Sequence, residues 1–327
     1  MPSSPLLPDI VGQVYGLAVA SDIALPELAG TQARGAADIT IRQGPVAAST
    51  GGDPADVATY VRGSWGELWL DIPGALTMQI SGGQTIAYRP HPGVHDDELR
   101  LFLLGSGLAA VMMQRGFLVL HANAVVPRGS DTAIACIGDS GAGKSTMAVA
   151  MMLRGHRCLA DDVCPIGDGN AILPGLARAK LWDDSARHLG IDTAPLSRVR
   201  PQDAKWNLPL AGHDDAAPAR IGLLVQLAAS DGGEQTPADI TGADRFTVLR
   251  NNVFRPQYYA TMGIEPQLIG RIAELASTTP MVRLTRPAKG FEIDSQIDKV
   301  LALHAAIAER ERGSEQRQTE GSQTHDE

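Results

Sequence analysis

Between Val14 and Arg89 apolar and polar residues alternate in short runs separated by Gly and Pro: Tyr15–Ala20, Ala37–Arg42, Glu67–Asp71, Leu76–Ile80 and Thr85–Tyr88. Such alternation puts every second side chain on one face, the pattern of half-buried antiparallel strands. Residues 1–94 are therefore expected to form a small β-rich module that presents a substrate. From His95 the period lengthens. Asp96, Asp97 and Glu98 open a helix that runs to Gln114 and stops at Gly116, with its acidic residues where the helix dipole favours them. Apolar nearly all round after Arg100, this helix is expected to be buried between the β module and the remainder of the chain.

Beyond it the runs become continuously apolar and alternate with helical patterns. Leu118–Val126 reads as one strand with His121 inside it, Ala133–Ile137 as a buried strand, and Lys144–Arg154 as a helix stopped by Gly155. Strands are expected at Cys158–Ala160, Ala177–Trp182, Lys205–Pro209, Ile221–Leu227 and Met281–Leu284. Helices are expected at Asp183–Gly190, Gly242–Asn251, Pro266–Ala276 and Asp294–Glu311. This order describes an α/β domain over residues 95–311. Residues 312–327 are polar and apolar-poor, and read as a disordered tail.

The join between the Ala133–Ile137 strand and its helix is Gly138, Asp139, Ser140, Gly141, Ala142, Gly143, Lys144, Ser145. Two glycines separated by four residues, followed by Lys and Ser, form the phosphate-loop pattern, in which backbone N–H groups curl around phosphate oxygens and a Cβ would obstruct the curl. Lys144 is placed to reach the β/γ-phosphates and Ser145 to ligate Mg²⁺, with Thr146 next in line. The following helix turns its positive dipole end to the same point.

At the end of the Cys158–Ala160 strand come Asp161 and Asp162. In an open α/β sheet that end lies where ligands bind, so one carboxylate is available to hold Mg²⁺ and the other to take the proton of an attacking hydroxyl. Arg178 and Lys180 share a face of their strand, and with Lys205 they are candidates to grip substrate. A solvated basic edge accounts for them equally well. Arg245, Arg250 and Arg255 are further candidates among arginines that mostly belong to solvated helix faces. Taken alone, His121 reads as a hydrogen-bonded core residue. Tyr60, Trp65 and Trp69 are aromatic enough for a recognition surface, but strand aromatics more often bury area.

Composition narrows the field. The 327-residue chain is 44% hydrophobic and 20% charged, with a formal net charge of −9, which disfavours nucleic-acid and anionic-membrane partners. Cys136, Cys158 and Cys164 lack metal-ligand spacing and suit a reducing cytoplasm. The start, Met1–Pro5, has neither the basic residues nor the apolar run of a signal peptide. A homo-oligomer is compatible with all of this.

Three stretches together resemble the catalytic domain of bacterial HPr kinase/phosphorylase: Leu120–Val125 around His121, the loop Gly138–Ser145, and Arg154–Val163 with its Arg-Gly-His and Ala-Asp-Asp. The resemblance implies a P-loop nucleotide domain of the HPr kinase/PEP carboxykinase type, ATP and Mg²⁺ as donor and cofactor, and a protein serine as acceptor. It implies Asp161 as the proton acceptor, Asp162 as a metal-side carboxylate and His121 as an active-site residue. Thr146 stands where those enzymes commonly carry Glu. The opening Tyr15–Leu28, with Leu103–Leu108 and Gln114–Gly116, is similar to the HPr-kinase-related proteins of lasso-peptide gene clusters. That similarity implies phosphorylation of the C-terminal serine of a precursor peptide. HPr kinase/phosphorylase activity, a small-molecule kinase and a nucleotide-dependent switch are the alternatives.

Overall fold

A computed structural model of the chain describes residues 9–31, 35–46, 60–64, 66–200, 202–210, 217–230, 237–287 and 292–323. The start Met1–Pro5, Trp65 and the Tyr60 side chain lie outside the described residues. Trp69 is half-buried on its strand.

The alternating runs assemble into one seven-stranded sheet. Its members are β1 (Ile10–Val14), β2 (Leu17–Ser21), β3 (Ile39–Gln43), β4 (Tyr60–Ser64), β5 (Glu67–Ile72), β6 (Leu76–Ser81) and β7 (Thr85–Pro90), in the order β1-β2-β3-β7-β6-β5-β4. The period of two is obeyed literally on β5, where Leu68, Leu70 and Ile72 are buried and Glu67, Trp69 and Asp71 are not. The sheet is mixed rather than antiparallel, because β3 runs parallel to both β2 and β7. A strand reached by a crossover instead of a hairpin can enter parallel to its neighbour, and β7 returns to β3 only after the β4–β6 meander.

The expected helix over 95–114 is α1 (Asp96–Phe102) and α2 (Leu108–Gln114) joined by a π turn, Leu103–Gly107. Gly107 sits where this segment presses on the sheet: a Cβ there would lie 3.1 Å from Ile86 Cδ1. Leu108 to Met113 are all buried. They belong to a single core that takes in Leu68 and Met78 of the first sheet and Val119 and Leu224 of the second, so the β module and the domain behind it are packed as one body.

The chain continues through β8 (Leu118–Leu120), β9 (Asn123–Val126), β10 (Thr132–Ile137), α3 (Lys144–Leu153), β11 (Arg157–Ala160), β12 (Cys164–Ile166), β13 (Ala171–Ile172), β14 (Arg178–Trp182) and α4 (Asp183–His188). It ends with β15 (Ser197–Arg198), β16 (Lys205–Pro209), β17 (Ala219–Ser230), β18 (Ala238–Asp239), α5 (Ala243–Asn251), α6 (Pro256–Thr261), α7 (Glu265–Thr278), β19 (Met281–Pro287) and α8 (Ile293–Gln323). The second sheet runs in the order β11-β9-β10-β17-β13-β12-β8, with β19 beside β17 and β18 beside β19. A small sheet, β14-β16-β15, stands apart.

Parallel strands β10, β17 and β19 form the centre. Along β10, Ala133, Ala135 and Ile137 face the shared core. Ile134 and Cys136 face a second core with Met147 and Met151 of α3 and Ile297 and Val300 of α8. Burial on both faces explains the continuous apolar run. All three cysteines are buried, and burial pushes the Cys136 and Cys164 thiols up to about 12, which makes them small apolar fillers.

The structure corrects two further expectations. Leu118–Val126 is not one strand: it breaks at His121 and Ala122, so that β8 pairs with β12 while β9 pairs with β10 and β11. The His121 N–H leaves the ladder and donates to the Asn252 carbonyl at 2.8 Å. The segment read as a disordered tail continues α8 through residue 323, in keeping with helix-favouring Glu, Gln and Arg; residues 324–327 lie outside the described residues.

Candidate active site

β10 ends at the carboxyl edge of the parallel strands and hands the chain to Gly138. This residue has φ +138°, and a Cβ on it would lie 2.3 Å from the Leu227 carbonyl oxygen of β17, so only glycine fits. Its N–H donates to Asn252 Oδ1 at 2.8 Å, and the Asn252 amide in turn donates to the Val248 carbonyl at 2.8 Å. On the other side Arg286 of β19 donates to the carbonyls of Ala142 (3.0 Å) and Gly141 (2.8 Å). The loop is thus held from two directions. Lys144, only 6% exposed, donates from Nζ to the carbonyls of Gly138 (2.7 Å) and Asp139 (3.1 Å). Burial lowers its pKa, opposed by the nearby charges of Asp162, Asp161 and Asp139.

Asp161 and Asp162 come directly after β11, and the two carboxylates are held by different partners. Asp161 accepts from the Asn123 side-chain amide, from Ser145 Oγ at 3.1 Å and from the Lys180 N–H at 2.6 Å. Burial, and then the Asp162 charge, raise its pKa. Asp162 has φ +75°, a left-handed conformation that is strained for an aspartate. Its Oδ2 accepts from Lys180 Nζ at 2.7 Å, and its Oδ1 lies 3.1 Å from His121 Nδ1. Burial opposes the Asp162 charge, but Lys180 and His121 outweigh it and hold the carboxyl well below the usual carboxylate range.

Three hollows meet around the loop. A cleft of about 490 Å³ has His121, Asp162 and Lys180 on one side and Gly138 to Ser140 on the other. A recess of about 100 Å³ reaches Lys144, Ser145, Thr146 and Lys205. The outer face of the loop borders a hollow of about 340 Å³ that includes Thr146, Ser185, His188, Arg286 and Gln296. The Thr146 and Ser185 hydroxyls are 2.8 Å apart. Asp161 lines none of these three spaces, whereas Asp162 lines the first two.

The fold gathers the loop residues Gly138 to Thr146, His121, Asp161, Asp162, Lys180 and Lys205 into this one region. Lys205 Nζ lies 5.3 Å over the Trp182 ring. Arg178 is elsewhere: it pairs with Glu27 at 2.9 Å, and Arg100 pairs with the same Glu27 at 3.2 Å. The alternation on β14 did place Arg178 and Lys180 on one face, but the β module supplies a carboxylate to the first and the site to the second. Arg245 is tied to the Ile240 and Ala276 carbonyls and Arg250 to Glu265, so of the three arginines weighed only Arg255 reaches the cleft. Asn123, Arg200, Asn252 and Arg286 join the site without having been singled out. Asn123 lies two positions from His121 and was open to notice. Asn252 and Arg286 are 114 and 144 positions from their loop partners and carry no local signal.

No protein-family model matches the chain, and no curated protein matches it. Among solved structures, the HPr(Ser) kinase/phosphatase from Coxiella burnetii aligns over 61% of this chain and 96% of that one, at 14% identity and a TM-score of 0.32. Among the described residues no helix is long and apolar enough to cross a membrane.

Proposed function

We propose that this chain is an ATP- and Mg²⁺-dependent kinase that phosphorylates a serine hydroxyl of a peptide. The observation that carries this reading is the pair of consecutive carboxylates set against a glycine loop, one bonded to the loop's Ser145 and the other open to a cleft beside it. The donor set suits the cofactor. Among the described residues no three His, Cys, Asp or Glu side chains cluster as a metal cage. A hydroxyl and a carboxylate, completed by the donor's own phosphates, is how Mg²⁺ is usually held. When bound, Mg²⁺ would neutralise charge on the transferring phosphoryl group.

The contacts support an exchange of the roles expected for the two aspartates. Asp161, bonded to Ser145 and Asn123, belongs to the metal side and keeps the Ser145 hydroxyl oriented. Asp162 faces the cleft and orients the acceptor hydroxyl. As that oxygen forms its bond to the γ-phosphorus and the bond to the ADP oxygen breaks, the hydroxyl proton passes to an Asp162 carboxylate oxygen. Its depressed pKa makes Asp162 a weak base, which suffices because a loose transition state demands orientation and charge neutralisation more than early proton removal. Lys180 and His121 fix that carboxylate; Lys144 stabilises charge on the donor phosphates. The hollow bordered by Thr146, Ser185 and His188 is open to the nucleoside.

The similarity to lasso-cluster proteins makes the C-terminal serine of a precursor peptide the acceptor of choice. Incubation with Mg-ATP and serine-terminated peptides, read by mass spectrometry, tests the reading. A gain of about 80 Da per phosphate at serine, about wild-type ATP affinity without transfer in D162N, and a raised Mg²⁺ requirement in D161N are expected. ATP hydrolysis with no phosphate on any peptide would reject it.

A further inference from the structure

Two guanidinium groups line the cleft beside Asp162 and have no part in the transfer described above. Arg200 lies over the Phe102 ring at 5.2 Å, and Arg255 lies 5.7 Å over Phe254 and 5.9 Å over Tyr258. The Nε of each is buried without a hydrogen-bond partner. Neither has a carboxylate partner among the described residues. The cleft's own carboxylates do not serve them: Asp162 is held by Lys180 and His121, and Asp139 is exposed on the loop. Arg255 also holds φ +43°, ψ +64°, a left-handed conformation rarely adopted by arginine, directly before the proline that starts α6.

Stacking against an aromatic ring immobilises a guanidinium and leaves its N–H edge for a planar oxyanion. Buried donors without partners are costly in a folded chain unless a ligand supplies the acceptor. The phosphates of the donor are a poor fit for that acceptor, since neither arginine borders the recess that contains Lys144 and Ser145. We propose that Arg200 and Arg255 bind a carboxylate carried by the acceptor next to its reacting hydroxyl, so that the site selects acidic peptides over neutral ones. This rests on the cleft being the acceptor side of the kinase proposed above. The carboxylate comes either from a peptide terminus or from an acidic side chain beside the serine.

Fluorescein-labelled peptides test this by anisotropy, without requiring transfer. One pair ends in serine as free acid or amide; a second pair is amidated and carries an internal serine followed by Asp or Asn. Wild-type protein is expected to bind the acidic member of at least one pair about tenfold more tightly, and the pair concerned identifies the source of the carboxylate. R200Q and R255Q are expected to erase the preference while changing ATP affinity less than twofold, and the Arg→Lys variants to recover part of it. Equal binding of acidic and neutral peptides by wild type overturns the proposal, and this comparison decides even if the variants fail to fold. A loss of ATP affinity equal to the loss of peptide affinity would assign the arginines to the donor and overturn it too. Mass spectrometry of the same mixtures with Mg-ATP separates the two readings. A carboxylate preference without phosphate transfer rejects the kinase alone, and transfer without a preference rejects the carboxylate site alone.

Discussion

Replacing Gly138 with alanine is the sharpest test of how the loop is built, because Gly141 provides a matched control a few residues away. Both have positive φ, +138° and +81°; a Cβ costs about 1–2 kcal/mol in the left-handed region near Gly141 and at least as much at Gly138, which lies farther from it. At Gly141 nothing lies within 4 Å of the added methyl. At Gly138 it would sit 2.3 Å from the Leu227 carbonyl oxygen, about 1 Å inside an ordinary C···O contact of roughly 3.3 Å. Leu227 is paired with Leu284 in the centre of the sheet, so the loop is what must move. Moving it strains the Gly138 N–H bond to Asn252 and the Lys144 bond to the Gly138 carbonyl, the first neutral at about 1 kcal/mol and the second charged at about 1.5–3 kcal/mol. G138A is expected to lose up to about 3.5–6 kcal/mol in urea unfolding and to bind ATP more than tenfold less tightly by calorimetry. G141A is expected to lose about 1–2 kcal/mol and to keep ATP affinity within a few-fold. Equal losses in the two variants would refute the view that the approach to β17 shapes the loop.

Asn252→Ala leaves the Gly138 N–H buried without a partner, so a destabilisation of about 1–3 kcal/mol and weaker ATP binding are expected in the same assays. Lys180→Met should impair transfer at saturating ATP, because it removes the cation that holds Asp162 at 2.7 Å; unchanged kcat would argue against that positioning role. His304 bonds Thr132 Oγ1 at 2.9 Å and is buried, and burial lowers its pKa below 6.5 despite the opposing charges of Asp131 and Glu311. The unfolded chain then binds the proton more readily, so unfolding free energy should decline as pH falls through about 6.5, and H304Q should flatten that slope. Asp162 acts at lower pH. Its folded pKa is depressed, so its stabilising contribution is present above the unfolded value of about 3.9 and is lost as pH falls through the folded one; D162N should lack that acid limb.

The loop was legible because its chemistry is local: glycines, Lys144 and Ser145 are contiguous, and the apolar strand and the helix pattern on either side name its context. The paired aspartates were legible for the same reason, as was Lys180 from its alternation on β14. Taken alone, His121 looked like a core residue because a run of apolar neighbours hides a strand break, where its N–H turns to the Asn252 carbonyl and the flanking strands pair with different partners. Arg178 looked like a site residue because its partner, Glu27, comes from a module 151 positions away. Short strands such as β13, β15 and β18 have too few residues to show a period.

What the sequence determined is everything that depends on neighbours in the chain: the two-residue and helical periods, the glycine-rich loop, and the order strand, loop, helix, carboxylate pair. The tertiary structure decided which charges meet. Asp161 and Asp162 are adjacent and chemically alike, yet one bonds Ser145 and Asn123 while the other bonds Lys180 and His121. The same two segments serve both: Lys180 gives its N–H to Asp161 and its Nζ to Asp162, and Asn123 and His121, two positions apart, go one to each, while Asp162 alone holds a positive φ. A hydrogen bond requires its partners within about 3.2 Å, so which groups each carboxylate meets belongs to the fold.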